Sequence, residues 1–355
     1  MKYGNMLYKF FVISDVHGEF DDMANALQEA GFDRHNSSHV LVTLGDMFDR
    51  GPKSRDIWAY LSDLKHNENR GGAHVISIKG NHDAMFQEYL EKGMNGEFVL
   101  FNILHNGLAD TIESFARIER NTLSINELEN IKENIKEYAY PGLLSWLQNL
   151  PLYFETRNVI FTHAGVDPEC GENWKLTKPD YMLCDIQDSA TLIPNLFKTV
   201  VFGHHHAFRV KSMCLDNKVE TKSIGGDSVD VSYKSTGSRI RFQGYGNTDD
   251  NGPLVMFKRY APGVKIAIDG CTNLKHKVNV LVFEDFFADE NIEKEENEEN
   301  KIDNIATEYV YTNNNTVKSN IEHAIPEPHW YYTNANETVG MEGWTNITGT
   351  HTFPF

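Results

Sequence analysis

The strongest constraint on the fold comes from five short apolar segments that each end abruptly in polar residues and glycine. They occupy residues 9–14, 40–44, 74–78, 158–162 and 199–202. Apolar segments of this length are typical of strands that are buried on both faces. Helical patterns follow the first two segments, with apolar faces at 23–30 and 57–64. This alternation predicts an α/β (layered α+β) fold whose sheet begins with parallel strands joined by right-handed crossovers.

Residues that can bind a metal or a phosphate follow every one of these predicted strands. They are Asp15 and His17 (S-D-V-H-G), Asp46, Asp49 and Arg50 (G-D-M-F-D-R-G), Asn81, His82 and Asp83 (G-N-H-D), His163 (H-A-G) and His204 (G-H-H-H). Because ligands bind at the carboxyl ends of strands in open α/β sheets, we expect these side chains to converge on one crevice. Each pattern is weak evidence alone, but five in succession indicate a functional site.

Six of these side chains form a mixed oxygen and nitrogen donor set. They are two carboxylates, one amide and three imidazoles: Asp15, Asp46, Asn81, His17, His163 and His204. Such a set suits Mn, Fe, Zn or related divalent ions. Six donors are too many for one ion and fit two ions that share a carboxylate. Two ions about 3.5–4 Å apart lower the pKa of a bridging water and stabilise both oxygens of a phosphoryl hydrolysis.

Composition excludes several other classes of protein. The 51 acidic and 33 basic residues give a net charge of -18, which argues against an extended nucleic-acid surface or binding to an anionic membrane. Four widely spaced cysteines without a C-x-x-C pair disfavour a disulfide scaffold and suit a reducing compartment. No apolar run approaches the ~18 residues that span a bilayer, and the run at 10–13 is too short for a signal peptide. We therefore expect a cytoplasmic protein.

The sequence predicts three regions. Residues 1–288 form the catalytic domain, with a helical insertion or cap at 84–150 and a loop-rich β insertion at 211–262. Residues 289–303 contain eight acids and two lysines, which is typical of a solvated linker. Residues 304–355 form an extension rich in Asn, Thr and aromatic residues, which either docks on the core or contacts a partner.

The ordered motifs D-V-H-G, G-D-M-F-D-R-G, G-N-H-D, H-A-G and G-H resemble the phosphoprotein-phosphatase branch of the calcineurin-like metallophosphoesterases. That branch includes Ser/Thr protein phosphatases, their bacterial and phage relatives, and symmetrical dinucleoside-tetraphosphate hydrolases. The resemblance covers residues 9–286 by motif order, and the stretches 146–155 and 264–270 also resemble bacterial members. It implies a β-sandwich flanked by helices, with a dinuclear metal site at the carboxyl ends of the strands.

The resemblance also implies a role for each residue. Two metal ions are implied, Mn²⁺ first and Fe, Zn, Mg or Ni as alternatives. Asp15, His17 and Asp46 would hold the first ion, and Asp46, Asn81, His163 and His204 the second. A hydroxide between the ions would attack phosphorus in line. Arg50, together with Asn81, would hold the substrate phosphate, and His82, oriented by Asp49, would protonate the leaving oxygen.

Three features depart from that branch. No arginine lies between His163 and Gly203, where the branch has a second phosphate-binding arginine. The following segment offers three substitutes: Arg209, Arg239 and Arg241. Asp83 stands where many protein phosphatases have glutamate, and this form is found in dinucleoside-polyphosphate hydrolases and other metallophosphoesterases. G-H-H-H also matches the wider superfamily pattern G-H-x-H, which implies His206 as an extra ligand of the first metal and favours phosphodiester chemistry.

The residues leave three functions open. The first is a metal-dependent phosphoric monoester hydrolase that acts on phosphoproteins, as Ser/Thr protein phosphatases do. The alternative is a hydrolase of dinucleoside polyphosphates or RNA phosphate ends, which the G-N-H-D motif and the missing second arginine favour. The third is a non-catalytic binding module that recruits a partner through its aromatic C-terminal extension.

Overall fold

The protein is represented by a computed structural model, which describes residues 6–118, 124–184, 188–258 and 263–288. The predicted linker at 289–303 and the extension at 304–355, with its partner contact, lie outside the described residues. All five apolar segments form strands, as predicted.

Twelve strands in the described part of the chain form two six-stranded sheets. They are β1 (Tyr8–Ile13), β2 (His39–Thr43), β3 (His74–Ser77), β4 (Tyr153–Glu155), β5 (Val159–Thr162), β6 (Thr199–Phe202), β7 (Glu220–Ser223), β8 (Ser228–Ser232), β9 (Arg239–Tyr245), β10 (Leu254–Phe257), β11 (Val264–Ala267) and β12 (Val280–Asp285). The first sheet has the order β3-β2-β1-β12-β9-β8, and the second has the order β4-β5-β6-β11-β10-β7. Strands β1, β2 and β3 run parallel, as do β5, β6 and β11, whereas the remaining pairs are antiparallel.

Five of the ten α-helices in the described residues lie between β3 and β4, and the described part of residues 84–150 is mostly helical, as predicted. The α-helices are α1 (Phe20–Glu29), α2 (Ser54–Glu68), α3 (Asn81–Lys92), α4 (Val99–His105), α5 (Leu108–Ala116), α6 (Ile125–Glu133), α7 (Leu143–Gln148), α8 (Pro179–Cys184), α9 (Ala207–Asp216) and α10 (Thr272–Lys275). Two 3₁₀ segments (Gly93–Asn95 and Pro168–Leu176) and a π-helical segment (Asn134–Ala139) join them. Among the helices described, none has the length and apolarity needed to cross a membrane.

Alternation along the buried strands builds a layered core. Successive side chains of a strand point to opposite faces. Phe10 and Val12 of β1 therefore face the second sheet and pack in one cluster with Phe161. Phe11 and Ile13 face the other way and pack with the helices between β1 and β4. The result is a β-sandwich with helices on its outer faces, as the resemblance implies.

The segment after β6 differs from its prediction as strands and loops. Residues 211–216 belong to helix α9, because Val210 and Cys214, four positions apart, are both buried against the outer face of the second sheet. The strands that follow add to both sheets of the sandwich: β8 and β9 extend the first sheet, and β7 and β10 extend the second.

The parallel strands end at the same level, which places their connecting loops side by side. In the first sheet Ile13 pairs with Thr43, which pairs with Ser77, and these are the last residues of β1, β2 and β3. In the second sheet Phe202, the last residue of β6, pairs with Ala267, the last residue of β11. The predicted site residues follow these positions directly.

The core between the sheets makes a stability prediction. Phe10 is fully buried and stacks on Phe283 at 5.2 Å and on Phe161 at 6.4 Å between ring centroids. Phe10→Ala should lower the free energy of unfolding by about 3–5 kcal/mol, because it removes a buried ring and leaves a cavity. Urea unfolding measures the loss. Phe197→Ala, at a side chain that is 50% exposed, is the matched control and should cost less than about 1 kcal/mol. Equal losses would contradict this packing.

Candidate metal centre

The loops that follow the strands bring the predicted site residues together. One carboxylate stands at the middle of the cluster, since Asp46 Oδ2 lies 3.8 Å from His17 Nε2, 4.0 Å from His82 Nε2 and 3.4 Å from His163 Nε2. Two groups of donor atoms within 4.8 Å of one another share it: His17, Asp46 and His82 form one group, and Asp46, His163 and His204 form the other.

Asn81 joins the second group. Its Oδ1 lies 2.9 Å from His163 Nε2 and 3.1 Å from His204 Nδ1. Donors that bind one ion at about 2.0–2.2 Å necessarily lie about 3 Å from one another. The spacing of Asn81, His163 and His204 therefore fits one divalent ion, as the resemblance implies.

Backbone carbonyls fix which nitrogen of two histidines faces the centre. His17 Nδ1 donates to the carbonyl of Phe48 at 2.9 Å, and His163 Nδ1 donates to the carbonyl of Leu44 at 2.8 Å. Such outer contacts set the tautomer and the ring orientation of metal-binding histidines. Each ring then presents Nε2 toward Asp46.

Asp15 is placed differently from the predicted first-metal group. Its Oδ2 accepts hydrogen bonds from the backbone N–H of His204 at 3.0 Å and from the hydroxyl of Ser14. Asp15 belongs to neither donor group found in the described residues, and His82 stands with His17 and Asp46 instead. Asp15 nevertheless influences Asp46 and His163 electrostatically, so it lies at the edge of the same cluster.

His82 and Arg50 form the outer part of the centre. His82 Nδ1 donates to Asp49 Oδ2 at 2.8 Å, the contact that the prediction requires. The Arg50 guanidinium lies 3.0 Å from His17 Nε2 and 3.1 Å from His82 Nε2. The helical segment at 84–150 supports Asp49 and Arg50. The Thr111 hydroxyl of α5 donates a hydrogen bond to Asp49 Oδ1 at 2.7 Å, and the Gly107 carbonyl accepts one from the Arg50 backbone N–H at 3.2 Å.

Sequence reasoning assigned no role to Asp269, which the structure adds to the cluster. It follows β11, is 2% exposed, and accepts a hydrogen bond from the Cys271 N–H at 2.8 Å. The signal was present, because V-K-I-A-I-D-G is a further apolar strand ended by aspartate and glycine. His206 lies against this carboxylate, with Nε2 at 3.8 Å from Oδ2, and it belongs to neither donor group of the described residues.

Asp83 acts on the backbone of the neighbouring loop. Its Oδ2 accepts hydrogen bonds from the backbone N–H groups of Gly80 at 2.9 Å and Asp46 at 3.0 Å. Its Oδ1 accepts a hydrogen bond from the backbone N–H of Met47 at 3.3 Å. The carboxylate therefore holds the G-D-M turn against the G-N-H-D turn. Asp83 is a positioning residue for Asp46.

Two of the three substitute arginines are remote from the centre. Arg239 and Arg241 both bind Asp230, and they lie at the start of β9. The end of β9 is the part near the centre, because Tyr245 pairs with Val280 at the start of β12, and Leu281 pairs with Val12 at the end of β1. Arg209 lies on α9, with its guanidinium 5.8 Å from the Phe208 ring centroid, and its phosphate contact stays a prediction.

The titratable side chains of the cluster change one another's pKa values. Burial and the neighbouring Asp269 raise the pKa of Asp15 to about 7, and burial also raises the pKa of Asp269 to about 6. Burial opposes the ionisation of Asp46 too, but His163 and His82 outweigh it and hold the pKa of Asp46 well below its usual range. Burial likewise lowers the pKa of His163, yet the Asp46 carboxylate raises it to about 10.

The donor set fits divalent cations. Burial, together with Arg50 and His82, lowers the pKa of His17, and burial with His205 and His163 lowers that of His204. Neutral imidazoles are the form that binds metals. The carboxylates repel one another, and a cation would remove that repulsion. Oxygen and nitrogen donors of this kind suit Mn, Fe or Zn.

These pKa values predict pH-dependent metal binding. The folded pKa values of Asp15 and Asp269 lie above their unfolded values, so their ionisation destabilises the protein as pH rises from about 4 to 7. A bound cation removes this cost, and protons compete with it at low pH. Added Mn²⁺ should therefore raise Tm by about 3–6 °C more at pH 8 than at pH 5.5, measured by calorimetry. Asp46→Asn should lose most of the increase, and equal increases at both pH values would contradict the prediction.

The comparisons with known proteins agree with this centre. The model of the calcineurin-like phosphoesterase family matches residues 8–208. A symmetrical bis(5'-nucleosyl)-tetraphosphatase of Buchnera aphidicola is 26% identical over 160 residues, which cover 44% of each chain. An asymmetrical bis(5'-nucleosyl)-tetraphosphatase of Bacillus subtilis is 28% identical over 44% of this chain and 57% of its own. Serine/threonine-protein phosphatase 2 of Escherichia coli is 27% identical over 37% of this chain and 59% of its own.

The chain thus spans about half the length of these curated relatives. The family model, by contrast, covers more than half of this chain and includes every motif from Asp15 to His204. The strand order, the shared carboxylate and this match lead to one conclusion: the chain belongs to the calcineurin-like phosphoesterase family.

Proposed function

We propose that this chain hydrolyses phosphoric anhydrides or esters with the help of two divalent ions, and that dinucleoside polyphosphates are its substrate class. The observation that carries the proposed reaction is the position of Asp46, whose Oδ2 lies 3.8 Å from His17 Nε2 and 3.4 Å from His163 Nε2 and belongs to both groups of possible metal donors. One buried carboxylate shared by two donor groups suits a pair of ions that act on one phosphate.

Each protein group then has a distinct task. When bound, a pair of divalent ions would supply a water of lowered pKa and positive charge opposite the phosphate. The Arg50 guanidinium lies 3.0 Å from His17 Nε2 and 3.1 Å from His82 Nε2, where its N–H groups would orient phosphate oxygens in pairs. Asp49 fixes the His82 ring through Nδ1, so that Nε2 faces the centre and would deliver a proton to the leaving oxygen.

Two observations favour a nucleotide as the substrate. The relatives from Buchnera aphidicola and Bacillus subtilis are both named as bis(5'-nucleosyl)-tetraphosphatases. Two of the three candidate arginines are held by Asp230 at the remote end of β9, so they do not supply a second guanidinium for a terminal phosphate. Arg50 contacts the cluster directly, and because β9 supplies no second guanidinium we favour a phosphate that is bridged on both sides over a terminal phosphate.

Turnover of site variants tests the proposed reaction. On diadenosine tetraphosphate with Mn²⁺, His82→Ala should lower kcat by about 10²–10⁴-fold, the usual contribution of a proton-transfer group. Asp46→Asn should lower it by at least about 10²-fold, because it removes the shared charge. His66→Ala, at an exposed histidine on α2, is the control and should keep wild-type turnover. Wild-type turnover in either site variant would refute the proposed roles.

A second candidate function is phosphoprotein hydrolysis. It is supported by the relative from Escherichia coli, which is named as a serine/threonine-protein phosphatase, and by the Arg50 guanidinium, which also suits a terminal phosphate.

Specificity constants separate the two substrate classes. We expect kcat/KM for diadenosine tetraphosphate to exceed that for a phosphoserine peptide and for a bis-aryl phosphate diester by at least about tenfold, a difference of roughly 1.4 kcal/mol in transition-state binding. The three substrates are compared with the same Mn²⁺-loaded protein. A tenfold preference for the phosphopeptide would instead assign the chain to phosphoprotein hydrolysis.

A further inference from the structure

The described part of the chain ends beside basic side chains that the proposed reaction does not use. Strand β12 finishes at Asp285, and the description of this part of the chain stops at residue 288. The sequence continues with the acidic segment 289–303, which carries eight acids and two lysines. The charges around the end of β12 are therefore the first that this segment meets.

Two arginines of β9 flank the end of β12. The strands are antiparallel, and Gln243 near the end of β9 pairs with Val282 in the middle of β12. The start of β9 therefore lies alongside the end of β12, and Arg239 and Arg241 stand at that start. Ile240 between them is buried between the two sheets, so both arginine side chains project from the outer face of the first sheet.

These two guanidinium groups share one carboxylate. Asp230 Oδ2 lies 2.8 Å from Arg239 Nη2, and Asp230 Oδ1 lies 2.9 Å from Arg241 Nε. The side chains of Arg239 and Arg241 are nevertheless 70% and 69% exposed. Each guanidinium has several N–H donors in a fixed fork, and a single carboxylate cannot use all the donors of two forks. The pair therefore presents positive charge and N–H donors to solvent where the acidic segment begins.

Two further basic residues stand around the end of β12. Arg157 donates its backbone N–H to the carbonyl of Phe286 at 3.0 Å, and its Cζ lies 4.5 Å from the centroid of the Phe286 ring. Lys234 is exposed in the turn between β8 and β9, and the Thr236 hydroxyl of that turn donates to Asn158 Oδ1 at 2.6 Å. We refer to these residues together as the basic surface: Arg157, Lys234, Arg239 and Arg241.

Direct attachment makes association of the acidic segment with the basic surface favourable. Asp230 and the exposed Glu284 offset part of the positive charge, and an excess remains. Exposed ion pairs are weak one by one. The segment is attached to β12, however, so its effective concentration at this surface is in the mM range. Each residue extends the chain by about 3.3 Å, so the first acids after residue 288 can reach a neighbouring strand about 5 Å away.

We propose that the acidic segment 289–303 docks on the basic surface of its own chain, where its carboxylates bind Arg239 and Arg241 alongside Asp230. Docking gives a role to two arginines that lie far from the metal centre. It also keeps the acids at the end of the sandwich where β1 begins, because Tyr8 pairs with Asp285. The metal centre follows the other end of β1, so docked acids do not compete there for cations or repel an anionic substrate.

Carbodiimide cross-linking of the full-length chain maps this contact. The reagent joins an amine to a carboxylate in contact with it and leaves arginine unmodified. A variant with Arg239→Lys and Arg241→Lys keeps both charges and supplies amines. We expect amide bonds from positions 239 and 241 to acids of segment 289–303 within one chain, identified by mass spectrometry, with the bond to Asp230 as internal reference. In 1 M NaCl the yield at the segment should fall at least about fivefold relative to Asp230, because the Debye length falls to about 3 Å.

Charge variants test whether the arginines hold the segment. In the wild-type chain the native amine of Lys234 should cross-link to the same acids. Arg239→Glu with Arg241→Glu should lower that yield at least about fivefold, and Arg239→Gln alone, a milder change, should lower it at least about twofold. Lys92→Glu with Lys211→Glu is the matched control. It makes the same change in net charge on α3 and α9, at lysines that each pair with one acid, and should keep the yield.

Three results would overturn the proposal. The first is cross-linking of positions 239 and 241 to Asp230 without any bond to segment 289–303. The second is a product of twice the chain mass as the main species, which would assign the basic surface to the segment of a second copy. The third is an equal Lys234 yield in the wild-type chain and in the Arg→Glu variant, because nearness along the chain alone would then explain the contact. None of these measurements depends on the proposed reaction.

Discussion

The structure depends on one buried carboxylate that serves two sets of histidines. Asp46 is 2% exposed and would be strongly destabilising if it were alone, because burial of an unpaired charge is costly. His163 and His82 compensate it and hold its pKa low. The same arrangement that stabilises the charge in the folded chain makes the carboxylate a member of both donor groups. The contacts that stabilise this buried charge are therefore the ones that would hold cations.

Several loop residues adopt unfavourable backbone conformations to reach this cluster. The left-handed region costs roughly 1–2 kcal/mol for a residue with a Cβ. Six site residues occupy it, with φ between 48° and 70°: Asp15, His17, Asp46, Asp49, Arg50 and His204. Neighbouring contacts oppose relaxation, since Asp83 holds the Asp46 backbone and a Cβ at Gly203 would collide with Ser14 and Asp15. Such strain is typical of functional sites, where the surroundings determine the conformation.

Local patterns predicted the buried strands, the helical segment and the residues that gather at the candidate site, whereas the β-sandwich was implied by the family resemblance. Fully apolar segments identify strands buried on both faces, and the polar residues after each strand necessarily gather at one edge of a parallel arrangement. Patterns in single segments do not reveal long-range contacts. Asp269 comes from a strand that follows β6 by some 60 residues, and its partner His206 lies on another element. Likewise, the remoteness of Arg239 follows from the antiparallel pairing of β9 with β12, which the chain order alone does not specify.

The central claim is that two ions share Asp46, and electron paramagnetic resonance of the Mn²⁺-loaded protein tests it most directly. Two Mn²⁺ ions about 3.5–4 Å apart, joined by one carboxylate, should give an exchange-coupled spectrum at two equivalents of metal. Asp46→Asn should replace this spectrum with that of isolated ions. An uncoupled spectrum in the wild-type protein, or saturation at one equivalent, would contradict the account.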